Sequence, residues 1–435
     1  MKGVRSFLVL VVVAAALGGY LYYDSKHEPT DDKKQDKVFA DVQSDKIDRL
    51  TVKSDKGETT TAAKQGDKWQ ETQPAAVAAD EAEISGITSN LAALSITRVV
   101  DEQASDFKQY GLDPPRIEVS FHAGGQDHRL LIGQKTPTAS DVYARLPDKP
   151  RVFLIPAYVE GTLNKSPFDL RDKTILKVDR DKVDALTMET PDRTIKVVKQ
   201  GADWRLTAPV DARADFGVVE GIVGRLNSTP MKAIAANNAD AETLKQFGFD
   251  KPTATVHVTS GSAEAGLVIG NASGDGFVYA RDLSRPIIFT VESALADELK
   301  RPVDDLRLKD LFDARAFNTT RLEIVAKGGQ TIAFEKDKDT WKQVSPSAKA
   351  IDGAKVDALI TALTNARATG FVDKAPALDT PDVTASLKFD EGKQEKVAFA
   401  KSGADAFARR DGDKGAAKID ASAIDAIVKA LDAIK

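Results

Sequence analysis

Three stretches decide how this chain folds: Trp69-Gln70-Glu71-Thr72-Gln73-Pro74, Trp204-Arg205-Leu206-Thr207-Ala208-Pro209 and Trp341-Lys342-Gln343-Val344-Ser345-Pro346. They contain all three tryptophans of the sequence, each opening a Trp-x-x-x-x-Pro phrase, at spacings of 135 and 137 residues. Solenoid units repeat every ~20–50 residues, so a period this long marks copies of a whole domain. The length of 435 residues leads to the same count independently, since a domain takes ~150 residues.

Working outward from each tryptophan, other phrases keep the same register. Residues 45–52, 181–188 and 319–324 alternate apolar and polar side chains, the period of a half-buried strand. A hairpin follows, turning near Asp67-Lys68, Ala202-Asp203 and Asp339-Thr340. Its return strand carries the tryptophan. The proline five residues on cannot donate to a ladder, so the strand should stop there.

A helix comes next. Asp80, Asp215 and Asp352 stand where an N-cap would, with a side-chain oxygen free for first-turn amides. Ile84, Ile87, Leu91 and Leu94, then Val219, Ile222 and Leu226, then Val356, Leu359 and Leu363 follow at three- and four-residue steps. That spacing lays one apolar face along each helix. Leu91, Leu226 and Leu363 each lie 22 residues after their tryptophan, which predicts the same packing of helix on hairpin in every copy.

The second half of each copy is rich in strands. Tyr110-Gly111-Leu112-Asp113-Pro114-Pro115 matches Phe247-Gly248-Phe249-Asp250-Lys251-Pro252, and weakly Ala377-Leu378-Asp379-Thr380-Pro381. Leu130-Leu131-Ile132-Gly133 matches Leu267-Val268-Ile269-Gly270. Val142-Tyr143-Ala144-Arg145 recurs as Val278-Tyr279-Ala280-Arg281, with Phe407-Ala408-Arg409 as the third version. Asp169-Leu170-Arg171 and Asp305-Leu306-Arg307 close the first two copies, and the third ends in a helix over residues 421–435. Runs of strands with few helices predict an α+β fold of mainly antiparallel sheets. The expected organisation is repeat domains over 38–175, 176–312 and 313–435 with short joints.

The N-terminus carries the localisation signal. Lys2 and Arg5 precede an apolar run over residues 7–23, FLVLVVVAAALGGYLYY. As a helix it reaches about 26 Å, close to the thickness of a thin hydrocarbon core. Tyr20, Tyr22 and Tyr23 sit where an interfacial aromatic belt would. We expect an uncleaved single-pass anchor in the inner membrane, with residues 1–6 cytoplasmic and the bulk of the chain outside the cytoplasm. A cleaved secretory leader is the competing reading. Residues 24–37, DSKHEPTDDKKQDK, read as a solvated tether.

Composition narrows the function. With no cysteine, the chain has no disulfide, thiolate nucleophile or iron–sulfur ligand. The 61 basic and 66 acidic residues are interspersed, giving a net charge of −5. A nucleic-acid partner would call for a concentrated basic face, so none is expected. Of the four histidines, His122 and His128 flank a tight segment near Asp127; no known metal spacing is matched, and neither a metal nor a cofactor is expected. No nucleophile elbow or phosphate loop occurs, and residues 270–276, GNASGDG, read as a hairpin turn. The remaining candidates are Trp69, Trp204 and Trp341, as ligand platforms or as packing, and Arg145, Arg281 and Arg409, as anion ligands or as partners of carboxylates in their own copies.

Taken together, the anchor, the Trp-x-x-x-x-Pro hairpin, the Tyr-Gly-Leu-Asp-Pro-Pro phrase and the Val-Tyr-Ala-Arg strand resemble the bacterial family called domain of unknown function 4340. The resemblance covers nearly the whole chain and carries no catalytic motif. It implies an accessory role at an envelope transporter, because such proteins are often encoded beside gliding-type ABC transporter subunits. The expected function is a non-catalytic, membrane-anchored binding or scaffold protein. The alternatives are a binder of envelope glycan or peptidoglycan and, further off, a hydrolase with a polar pocket in one copy alone.

Overall fold

The computed structural model describes residues 36–390 and 392–434. The expected anchor at 7–23, His27 and most of the tether fall outside the described residues. Among the described residues no helix is long and apolar enough to cross a membrane.

Among the described residues the chain forms three nine-stranded sheets, and every strand pair in them is antiparallel. The first contains β1 (Ile47–Lys53), β2 (Thr59–Gln65), β3 (Lys68–Gln73), β4 (Val77–Ala78), β5 (Arg98–Asp101), β6 (Ile117–Ala123), β7 (Gln126–Lys135), β8 (Asp141–Arg145) and β9 (Val152–Pro156). Their spatial order is β4-β3-β2-β1-β6-β7-β8-β9-β5. The second sheet, from Ala185–Thr190 to Ile288–Glu292, and the third, from Thr319–Ala326 to Ala416–Ile419, repeat that order strand for strand. The first sheet lies in one compact unit and the other two in a second, with the division between Lys173 and Thr174. The expected boundary near 312/313 therefore falls inside the second unit.

The tryptophan strands end at Gln73, Ala208 and Ser345, each the residue before its proline. All three prolines follow a cis bond. The hairpin turns are Gly66-Asp67, Gly201-Ala202 and Lys338-Asp339, one residue earlier than the alternation suggested.

Each sheet carries a long helix on one face: α1 (Glu81–Ala93) in the first. The shorter α2 (Val159–Leu163) and α3 (Pro167–Leu170) close that copy. In the second copy the long helix is α4 (Phe216–Ser228), followed by α5 (Ala241–Gln246), α6 (Ser293–Leu299) and α7 (Val303–Leu306). The third has α8 (Gly353–Asn365) and α9 (Ala421–Asp432). The long helix links β4 to β5, the two opposite edges of the first sheet, and so spans its face. Asp80 accepts from the amides of Ala82 and Glu83, Asp215 from Val218 and Asp352 from Ala354, so all three helices start at the aspartates. Their stripe is sealed: Leu91, Leu226 and Leu363 are each 0% exposed. Burying one such side chain stabilises the fold by ~1.5–3 kcal/mol, so these faces carry much of each core.

The opposite face of the first sheet holds a smaller apolar patch. Ala104, Leu112, Leu131 and Val152 pack there with Phe107, Tyr110 and Tyr143. Ala375, Leu378, Ala400 and Ala416 form its counterpart in the third.

Candidate functional site

The tryptophans are buried at 6%, 2% and 2% exposure. Each pairs across its hairpin with a lysine: Lys64 with Trp69, Lys199 with Trp204 and Lys336 with Trp341. The ammonium sits 5.5, 5.4 and 5.7 Å from the respective ring centroid. Trp204 Nε1 donates to Glu220 Oε1 at 2.9 Å, and Trp341 Nε1 to Asp357 Oδ1 at 2.9 Å. Both acceptors lie on the long helices, so each indole ties hairpin to helix. In the first copy the backbone amide of Trp69 donates to Glu81 Oε1 at 2.7 Å instead. An aromatic face covered by a lysine and a helix is not open to a sugar ring.

Arg145, Arg281 and Arg409 hold one register, opposite Leu131, Val268 and Ala398. They lie half-buried on the sheet face away from the long helix. The Arg145 guanidinium stacks 3.9 Å from the Phe107 centroid and donates to the Pro147 carbonyl at 3.2 Å. Arg409 reaches the Leu378 carbonyl at 3.5 Å. The contacts of Arg145 and Arg409 are therefore with a ring and with carbonyl oxygens of their own copies.

Of the histidines, His122 Nδ1 lies 2.8 Å from Asp48 Oδ1, and His257 Nδ1 lies 2.8 Å from Glu264 Oε1. His128 stacks on Phe121 with centroids 5.0 Å apart. Among the described residues, no group of three or more His, Asp or Glu side chains is arranged to hold a metal. Of the GNASGDG stretch, residues 270–274 continue the strand Ala263–Gly274, and the hairpin turn is only Asp275 and Gly276, both at positive φ.

Two ionic features were missed in the sequence. Where the second and third copies meet, Arg213 donates to Asp313 Oδ1 at 2.8 Å and to the Asp310 carbonyl at 2.7 Å. Glu395, 4% exposed, accepts from the amides of Asp313 and Ala314 at 2.9 and 3.2 Å and from Arg410 at 2.7 Å. Burial raises the Glu395 carboxyl, and Arg410 opposes that rise. Burial, reinforced by Arg410, lowers Arg213. Nearby, the Arg307 guanidinium lies 3.5 Å from the Phe371 centroid. The cavity lined by Arg213, Arg307 and Arg410 holds only about 30 Å³, room for a water and no ligand. This network is a joint. Its partners lie far apart in sequence, which is why periodicity could not reveal it.

The second feature is Glu71. It is 0% exposed, and neither carboxylate oxygen has a hydrogen-bond partner among the described residues. Burial raises its pKa to about 7 against an opposing pull from Arg171. Ser54 Oγ, just after β1, and Thr60 Oγ1 on β2 are also buried without partners among the described residues. The second and third copies place Leu206 and Gln343 where Glu71 stands. These unpartnered groups of the first copy lie in its closed interior. Strand alternation gave a signal here, since Glu71 lies two residues after the buried Trp69.

A groove of about 750 Å³ lies in the first copy beside Phe39, Asp41, Lys46, Gln126, His128 and Asp148. Its lining mixes charges of both signs with an aromatic ring.

The family Domain of unknown function (DUF4340) matches residues 69–203 and 204–391. The chain belongs to that family. The matched segments begin at Trp69 and Trp204, one hairpin into each sheet. No curated protein matches the chain. Among solved structures, the crystal structure of a DNA polymerase sliding clamp from Pseudomonas aeruginosa with ligand gives a TM-score of 0.18 at 8% identity, covering 88% of this chain and 93% of that one. A likeness that slight carries no argument.

Proposed function

We propose that this protein is a non-catalytic scaffold or binding subunit, anchored in the inner membrane by residues 7–23, whose three sheets work outside the cytoplasm beside an ABC-type envelope transport complex. The observation that supports this reading most is the use made of the recurring residues. Tryptophans, N-cap aspartates and helix leucines each serve packing or capping in equivalent places. A folding unit repeated for its shape suits a spacer or a multivalent platform, where linked modules gain effective concentration without new contacts. The anchor rests on the apolar run alone, and the transporter association on the family resemblance. Crosslinking in native membranes followed by affinity capture tests both. Recovery of ABC transporter subunits is the expected result; a crosslinked set free of them removes the transporter from the account.

A further inference from the structure

Glu71 belongs to a buried polar patch that one short segment closes. Glu71 pairs with Ala62 across β2 and β3, Thr60 pairs with Val52 across β1 and β2, and Ser54 follows Val52 by two residues. Strand alternation therefore puts all three polar side chains on the face that carries α1, beside Val52 and Ala62 of the core. Here α3 packs on β2 and on α1. Ser166 and Asp169 form a capping box at the start of α3, and Leu170 at its end is 1% exposed in the core. The Asp80 amide donates to the Leu170 carbonyl at 2.8 Å, and the Asp172 amide to the Ala78 carbonyl at 2.9 Å. Lys173 Nζ lies 3.4 Å from Asp80 Oδ2.

The second copy is closed in the same way by α7. Leu306 is 0% exposed, the Asp215 amide donates to its carbonyl at 2.8 Å, and the Leu308 amide donates to the Arg213 carbonyl at 2.9 Å. Its seat is apolar, with Ile195 and Leu206 where Thr60 and Glu71 stand, at 1% and 0% exposure. Thr190, in the place of Ser54, donates to Asp192 Oδ1 at 2.6 Å. One closure is thus built twice, over an ionisable seat and over an apolar one.

The elements around Glu71 bring further charges. On α1 and its cap are Asp80, Glu81 and Glu83, after β1 are Asp55 and Glu58, and on the closing segment are Asp169, Arg171 and Lys173. Glu81 accepts from the Trp69 amide at 2.7 Å, Glu83 pairs with Lys165 at 2.8 Å, and Asp55 with Arg116 at 3.5 Å. Burial raises the Glu71 carboxyl and outweighs the opposing pull of the Arg171 guanidinium. At Asp169 burial is outweighed instead by the Ser166 hydrogen bonds and by Lys165 and Lys173, which hold that carboxyl below its ordinary range. Asp169 therefore stays ionised while Glu71 titrates.

We propose that residues 166–173 are a pH-controlled latch on the first copy, shut over protonated Glu71 and released when Glu71 ionises. A carboxylate without hydrogen-bond donors is costly in a closed interior, and lifting α3 admits water to it. The closed state holds a proton that the open state gives up, so opening becomes easier as pH rises toward 7 and levels off above it. The latch ends at Lys173, the last residue of the first compact unit, so its release lengthens the link to the second. The inference rests on the first copy alone and stands apart from the membrane and transporter reading.

Amide hydrogen exchange on the full chain in mild detergent tests it, at about pH 5.5 and 7.5 and corrected for the intrinsic chemical rate. The Asp80 and Asp172 amides should lose protection by at least about tenfold across that interval, the scale of one linked proton. Asp215 and Leu308, at the second closure, should keep theirs. In Glu71→Leu the pH response of Asp80 and Asp172 should vanish. The same response at both closures, flat or rising, overturns the proposal, as does a response that survives Glu71→Leu. A loss shared by the amides of Ile87–Leu91 in α1 overturns it too, since the whole copy and not the latch is then opening. Should Glu71→Leu fail to fold, Glu71→Gln, of the same shape without the charge, takes its place under the same criteria.

Discussion

A methyl group on Gly133 would lie 2.2 Å from the carbonyl oxygen of Tyr110. Gly270 stands in the same relation to Phe247, at 2.3 Å. The loop carrying Tyr-Gly-Leu-Asp-Pro therefore lies directly on the strand where only glycine fits, which explains why that loop phrase and the Ile-Gly pair travel together. The third copy has Ala400 at this place, and its loop is the short turn Pro376–Asp379. Gly133→Ala and Gly270→Ala should each destabilise by ~1–3 kcal/mol, as overpacking against backbone does. Ala400→Gly should cost no more than ~1 kcal/mol. Urea midpoints of the three variants check the contrast.

The tryptophans offer a test of packing against ligand binding. Trp204→Ala and Trp341→Ala should each lose ~3–5 kcal/mol, the usual penalty for emptying a large buried site. Trp204→Phe should lose ~1 kcal/mol, the net worth of the bond to Glu220. Variants that melt like the natural chain yet lose retention on peptidoglycan would favour the glycan reading instead.

Glu71 predicts a pH dependence. Its folded pKa is about 7 against an ordinary value of 4.5. Between those values the folded chain binds the extra proton, so stability falls as pH rises through that window. The full penalty, ~3 kcal/mol by the size of the shift, is present above pH 7. Glu71→Leu, the residue of the second copy, should raise the melting temperature at pH 8 and have a smaller effect at pH 5. An equal gain at both values would show that the buried carboxyl is not the cause.

Lys338 occupies the left-handed region at φ 57°, where the first two hairpins have Gly66 and Gly201 at 65°. A side chain there is strained. Lys338→Gly should stabilise the third hairpin by ~0.5–1 kcal/mol, the strain relieved less the added freedom of glycine. A lowered denaturation midpoint would contradict this.

What the sequence made legible followed local rules. The proline that stops each tryptophan strand, the capping aspartates and the leucine stripe depend on neighbours within a few residues, and the structure places them as the spacing implied. Glu71 lay on the buried side of a two-residue alternation and was still overlooked, because its equivalents are a leucine and a glutamine. The Arg213–Asp313–Glu395–Arg410 joint was not legible. It arises from contacts between residues about fifteen to a hundred positions apart.

Amide hydrogen exchange on the full chain tests the central claim most directly. If one folding unit was laid down three times around equivalent cores, the amides of Ile84–Leu91, Val219–Leu226 and Val356–Leu363 should all rank among the slowest to exchange. A chain in which one of those segments exchanges as fast as its surface loops would contradict the account.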